Sequence, residues 1–249
     1  MKKETSMYLV GKRILVTGAG SGIGRAVAIG YARAGAAVAC VSRGRENLLQ
    51  TERLIENAGG RALALPADVS DFEALEQQVL AVERELGGLD LVFSAAGEAS
   101  ENKTVETSDV QAFRRTLEVN LVGAFNTAKA AIPALKRSGG GHMIFVGSGM
   151  GHRAAATRAA YASSKAGLHM LVRVLAQELI EDGIAVNELV PGPVLTAFIT
   201  GRVEQLTQSA GAQEWFKTPE DVVPMALFLA SQLQPGPTGQ TFSLARREL

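Results

Sequence analysis

Short apolar runs alternate with helix-period segments from one end of the chain to the other, and this alternation constrains the fold more tightly than any other feature. Arg13 to Val16 reads as a strand, followed by a helix from Gly22 to about Ala34 that Gly35 can close in the left-handed conformation. Residues 37–41, 62–65, 89–94, 142–146, 184–187 and 240–244 read as further strands. Helices are expected over residues 46–58, 72–86, about 108–136 and about 158–181, with Ser70 or Asp71 as the cap before Phe72 and a break or bend near Asn120. Thr218, Pro219, Glu220 and Asp221 open a last helix: a capping hydroxyl, a proline at the first position and two carboxylates at the positive dipole end. The strands are continuously apolar, as a sheet covered on both faces requires, and strand–helix alternation at this spacing makes the sheet parallel. The expected fold is a single α/β domain over residues 1–249, a Rossmann-type doubly wound, seven-stranded parallel sheet with helices on both faces.

At 249 residues and 47% hydrophobic, the chain can bury one large core. Lys plus Arg and Asp plus Glu number 25 each, so no global charge draws the protein to nucleic acid or an anionic membrane. No run approaches the roughly 18 apolar residues of a spanning helix, and the first six residues carry no secretory pattern. A cytoplasmic protein is expected. Cys40, the single cysteine, sits in an apolar strand and is expected to be inert packing.

Between the first strand and first helix lies Thr17-Gly18-Ala19-Gly20-Ser21-Gly22-Ile23-Gly24. Glycines there let the backbone turn sharply and approach a pyrophosphate, while the helix N-terminus offers free N–H groups and a positive dipole. No Lys-Ser/Thr pair follows Gly24, so the turn is not a P-loop. About 20 residues on, where an acid would bind a ribose 2′-hydroxyl, the chain has Ser42 and Arg43. A carboxylate would repel a 2′-phosphate of about −1.5 to −2 charge, whereas Arg43 and the Ser42 hydroxyl would hold it, so NADP(H) is preferred, with NAD(H) possible.

Tyr161 and Lys165 fall at i and i+4, on one helix face, and Ser148 lies 13 residues before Tyr161 at a strand's C-terminal end. A free phenol titrates near 10; an adjacent ammonium stabilises the phenolate, and bringing the value to 7 takes about 4 kcal/mol. In this order and spacing, the glycine turn and the Ser–Tyr–Lys set resemble the short-chain dehydrogenase/reductase family, over essentially the whole chain. The resemblance implies that Ser148 positions a substrate carbonyl or hydroxyl. It makes Tyr161 the general acid/base and Lys165 the residue that lowers its pKa and holds the nicotinamide ribose. Asn120 then supports a water relay to the lysine. It also implies that Asp68 and Val69 lie by the adenine, that Ser94-Ala95-Ala96-Gly97 packs beneath the cofactor in place of the family's Asn-Asn-Ala-Gly, and that Pro191, Gly192, Val194 and Thr196 flank the nicotinamide amide. Gly147, where the family often has Ser, is expected to be tolerated.

The reaction so implied is hydride transfer between a nicotinamide and a carbonyl or secondary alcohol on a small molecule. The resemblance is to 3-oxoacyl-carrier-protein-reductase-like members, with an NAD-dependent alcohol dehydrogenase and a catalytically silent cofactor-sensing regulator as alternatives. Against a carrier protein, the acidic stretch ending in Glu181 and Asp182 would repel an acidic partner, while Lys136, Arg137 and Arg153 could still attract one. Residues 195–217 would form an apolar substrate lid, with Ala197, Phe198, Ile199, Trp215 and Phe216. The C-terminal Ser243 to Arg247 departs from the family's Val-Asp-Gly-Gly ending. No metal is expected, because His142, His152 and His169 share no ligand spacing and no cysteine partner; His152 is read as lining the substrate mouth or as a solvated loop residue. A homotetramer or dimer is expected, built on alanine-rich outer faces of the 108–136 and 158–181 helices.

Overall fold

A computed structural model describes residues 8–196, 215–233, 236–246 and 248–249. Its strands are β1 (Arg13–Thr17), β2 (Ala37–Ser42), β3 (Arg61–Pro66), β4 (Leu91–Ser94), β5 (Gly141–Val146), β6 (Ile184–Val190) and β7 (Thr241–Ser243). All pair in parallel in one sheet of order β3-β2-β1-β4-β5-β6-β7. The α-helices are α1 (Gly22–Arg33), α2 (Arg45–Glu56), α3 (Phe72–Leu86), α4 (Val110–Leu117), α5 (Gly123–Arg137), α6 (Ala159–Glu178) and α7 (Val223–Ala230). Chain direction across the sheet switches between β1 and β4, and a ligand crevice opens there, outside the carboxyl ends of the strands.

Alternation along each strand divides the core in two. Ile14, Val16, Val38, Cys40, Leu91, Phe93 and Ile144 pack under α1, α2 and α7. Their neighbours Leu15, Ala39, Val41, Val92, Met143 and Phe145 pack under α3, α5 and α6. Both faces are therefore apolar, which is why the strands read as unbroken hydrophobic runs. Tyr31 lies edge-on to Phe93 and donates its hydroxyl to the Ala226 carbonyl at 3.1 Å. Burial, helped by the charge of Glu52, pushes the Cys40 thiol up to about 12, so it stays protonated as an apolar filler.

Several boundaries differ from the expected ones for identifiable reasons. Asp71, not Ser70, caps α3, accepting from Ala74 N at 2.9 Å; the Ser70 hydroxyl goes to Asp68 instead. β4 starts at Leu91 because Asp90 is engaged sideways, its carboxylate taking the Arg13 amide and guanidinium at 2.8–2.9 Å. The long helix breaks into α4 and α5 through a π-helical turn, Glu118–Val122, that carries Asn120 inward. β6 runs past Asn187 through Glu188 because each of these buried polar side chains finds hydrogen-bond partners. The Asn187 amide donates to Pro237 O at 2.6 Å and accepts from Gln240 N at 3.1 Å. The α5 alanines Ala124, Ala128, Ala131 and Ala134 face the core, not outward as expected, whereas Ala166 on α6 is exposed; Val122, Phe125, Met170 and Val174 are the large apolar side chains left exposed on α6 and on the segment around α5. No helix of the described residues is long and apolar enough to cross a membrane.

Candidate active site

A cleft of about 560 Å³ runs along the carboxyl ends of the strands, within the size range of small-molecule sites. The glycine turn forms its floor. Gly18 has φ +69°, and a Cβ there would lie 2.8 Å from the Ala95 carbonyl and the Ala96 amide, so only glycine lets the two loops touch. Thr17 holds the second loop from below: its hydroxyl oxygen accepts from Ala95 N at 3.2 Å and Ala96 N at 3.3 Å. Backbone contacts thus anchor the segment in which both expected asparagines are missing. Ser21 stands at the start of α1 without capping it by its side chain, and Ser21, Gly22 and Ile23 line the cleft. Arg25 fixes the turn from outside, donating to the Gly20 carbonyl, to Asn47 O at 3.2 Å and to Thr51 Oγ1 at 3.1 Å. An uncapped helix N-terminus over a glycine cradle fits a pyrophosphate.

Ser42, Arg43, Asp68 and Val69 line the far end. Arg43 has 58% of its side chain exposed and stands 3.9 Å from the carboxylates of both Asp68 and Glu98. Arg115, from α4, sits closer to the same two acids, at 3.1 Å and 3.7 Å. Burial raises the Asp68 carboxyl, but hydrogen bonds from Ser70 and Arg115 outweigh it and leave the pKa below the usual carboxylate value. Glu98 and Arg115 carry no local sequence signal, because they meet only when α4 packs beside the loop after β4.

At the other end, the fold brings Ser148, Tyr161 and Lys165 to one wall. Ser148 caps the 3-10 turn Gly149–Gly151, accepting from Met150 N at 3.2 Å. Lys165 is buried and donates from Nζ to Val146 O at 2.7 Å, with the Tyr161 ring centroid 5.8 Å away. Burial lowers the Lys165 ammonium to about 8, opposed by the charge of Glu188. The Tyr161 phenol moves opposite to the sequence expectation: burial pushes it up, and a hydrogen bond with Ser148 and the charge of Arg158 only partly offset this.

Ser94 and Asn120 stand outside the cleft lining, unlike the other expected site residues. The Asn120 side chain is a clamp: Oδ1 accepts from Glu98 N at 2.7 Å, and Nδ2 donates to Glu98 O at 2.8 Å and Ser164 Oγ at 3.0 Å. With its amide so engaged, the Asn120 side chain holds the loop after β4 against α6. Pro191, Gly192, Val194 and Thr196 line the cleft beside the turn, and Val194 forms a bridge to Lys217. Of the expected lid, residues 197–214 lie outside the described residues, as does Arg247; Phe216 does line the cleft.

Two of the three histidines are not where their sequence surroundings suggest. His152 and His169 converge on Glu188, with ring centroids 4.3 Å apart, although no spacing linked them. His152 is thus neither a mouth residue nor a solvated loop residue: its Nε2 meets Glu188 Oε2 at 3.2 Å. The same carboxylate explains Gly147, since a Cβ there would stand 1.8 Å from Glu188 Oε1.

The sequence matches the short chain dehydrogenase family over residues 12–207. A short-chain dehydrogenase/reductase of Armillaria gallica is 36% identical, with 94% of each chain covered. Among solved structures, a dehydrogenase/reductase from Sinorhizobium meliloti superposes with TM-score 0.87 at 32% identity, covering 96% of this chain and 95% of that one. A protein assigned as an NAD(P)-dependent gluconate 5-dehydrogenase from Beutenbergia cavernae, whose structure contains NADP at low occupancy, gives 0.86 at 32% identity with 96% of each covered. With a glycine cradle at one end of its cleft and a Ser–Tyr–Lys wall at the other, the chain belongs to the short-chain dehydrogenase family, a family of NAD(P)-binding oxidoreductases acting on CH–OH groups.

Proposed function

We propose that the protein is an NADP(H)-dependent oxidoreductase for a carbonyl or secondary alcohol, with Tyr161 as general acid/base. The observation that carries this reading is one cleft holding both the glycine cradle and the Ser148–Tyr161–Lys165 wall. The dinucleotide, when bound, supplies or accepts the hydride. Gly18 to Gly24 would hold its pyrophosphate, Arg43 and Ser42 its 2′-phosphate, and Lys165 its nicotinamide ribose. Ser148 holds the substrate oxygen, and Tyr161 passes the proton to or from that oxygen. A phenol kept neutral by burial is ready to donate, which suits protonation of the alkoxide formed in reduction.

The substrate end is lined by Met150, Arg153 and Phe216. The acidic charge set against a carrier-protein substrate is reduced, since Asp182 pairs with Lys136 at 2.7 Å. Exposed Phe125, Met170 and Val174 support a homo-oligomer built on α5 and α6.

Tyr161→Phe keeps the ring and removes the transferable proton. NADPH should bind almost normally while turnover falls by about 10²-fold or more. Native-like turnover in that variant would refute the acid/base role and favour a cofactor-sensing regulator.

A further inference from the structure

Three side chains from separate elements meet behind the Ser148 wall: His152 just past the 3-10 turn, His169 one turn beyond Lys165 on α6, and Glu188 in the middle of β6. We propose that His152 Nε2, His169 Nδ1 and the Glu188 carboxylate bind a divalent transition-metal ion of the zinc class.

The geometry is close to a formed site. Glu188 Oε2 lies 3.2 Å from His152 Nε2 and 2.9 Å from His169 Nδ1, and the three ligand atoms all fall within 4.8 Å of one another. Tetrahedral coordination with bonds of about 2.1 Å separates its ligands by about 3.4 Å, so small ring movements open room for an ion. Two imidazole nitrogens and one carboxylate oxygen suit zinc-class ions, whereas calcium and magnesium take oxygen shells. Three protein ligands leave one position for water.

The surroundings fit the same assignment. Glu188 has no solvent exposure, and an ion held between the two imidazoles would be a direct partner for this buried carboxylate, whose charge the Lys165 ammonium also feels. Thr241 Oγ1 donates to Glu188 Oε2 at 2.8 Å, the kind of outer contact that orients a ligating carboxylate. The His152 and His169 side chains are 15% and 23% exposed, which gives an ion a way in from the surface. Gly147, lacking a side chain, leaves the carboxylate its place. A bound ion would tie the segment after Ser148 to the helix that carries Lys165.

The test is direct titration of tag-free, chelator-treated protein with Zn²⁺ by calorimetry and with Co²⁺ by visible absorption. The expected result is one ion per chain, with the intense Co²⁺ bands of a four-coordinate site. His152→Ala and His169→Ala alter partly exposed side chains and, as direct ligands, should each weaken Zn²⁺ by at least the roughly 10–100-fold that loss of an outer-shell partner costs, with circular dichroism unchanged. Glu188→Gln should do the same; if it fails to fold, the two histidine variants decide. Absence of saturable Zn²⁺ binding to the folded protein would overturn the proposal, leaving a metal-free hydrogen-bonded cluster. Binding that survives both histidine substitutions would overturn it equally.

Discussion

Gly147→Ala isolates the contact that binds the loop after β5 to β6. Gly147 is not among the glycines at positive φ, so the substitution adds a methyl group without straining the backbone. That methyl would stand 1.8 Å from Glu188 Oε1, 2.5 Å from Cδ and 2.6 Å from Cγ. A flexible carboxylate would swing aside cheaply, but this one has no solvent to swing into and is held by three contacts on Oε2, at 2.8, 2.9 and 3.2 Å. Losing one of these costs about 1.5–3 kcal/mol, as for other hydrogen bonds to charged groups. Residual overpacking adds about 1–3 kcal/mol. The expected destabilisation is therefore about 2.5–6 kcal/mol, and at about 2–4 °C per kcal/mol for a chain of this length, Tm falls by roughly 5–24 °C. The assay is urea unfolding at fixed protein concentration, with chelator present, for Gly147→Ala, Glu188→Ala and the double variant. Because the clash is with Glu188 itself, the double variant should be no less stable than Glu188→Ala alone. A Gly147→Ala protein within about 0.5 kcal/mol of wild type, or two effects that simply add, would refute the reasoning.

Arg43→Asp should weaken NADPH far more than NADH in equilibrium binding, and a wild-type protein that holds NADH more tightly than NADPH would overturn the assignment of Arg43 to the 2′-phosphate. For Asp90, burial raises the carboxyl but hydrogen bonds from Arg13 outweigh it, so the folded-state pKa is lowered. Its stabilisation is therefore present above the unfolded value near 3.9 and is lost as pH falls through the folded value. Asp90→Asn should cost about 2 kcal/mol at pH 7, and the gap should close below pH 4; an equal gap at pH 7 and pH 3 would contradict this. Sedimentation should show a homo-oligomer, and a concentration-independent monomer would remove α5 and α6 as an interface.

What was legible in the sequence was local or nearly so. The apolar runs gave the strand order its raw material, since a two-sided parallel sheet requires exposed positions on neither face. The glycine turn and the Tyr161–Lys165 pair are readable because a turn and an i,i+4 helix face are set by a few consecutive residues. Tertiary structure alone decided the rest. Asn120 became a clamp because a π turn aimed it at Glu98 and Ser164: a break near Asn120 was legible in the sequence, but not the partners to which it turns the side chain. Glu98 and Arg115 joined the Arg43 end only once α4 lay beside the loop after β4. The polar pair Asn187–Glu188 looked like the end of a strand, and it became the middle of β6 because partners up to 53 residues away satisfied both side chains. Gly147, His152, His169 and Glu188 show the division most clearly. Each is unremarkable at its own position, and their relation exists because adjacent parallel strands and the helix above them place distant segments within a few ångströms. Spacing along a chain encodes periodicity, whereas convergence of this kind is a property of the assembled sheet.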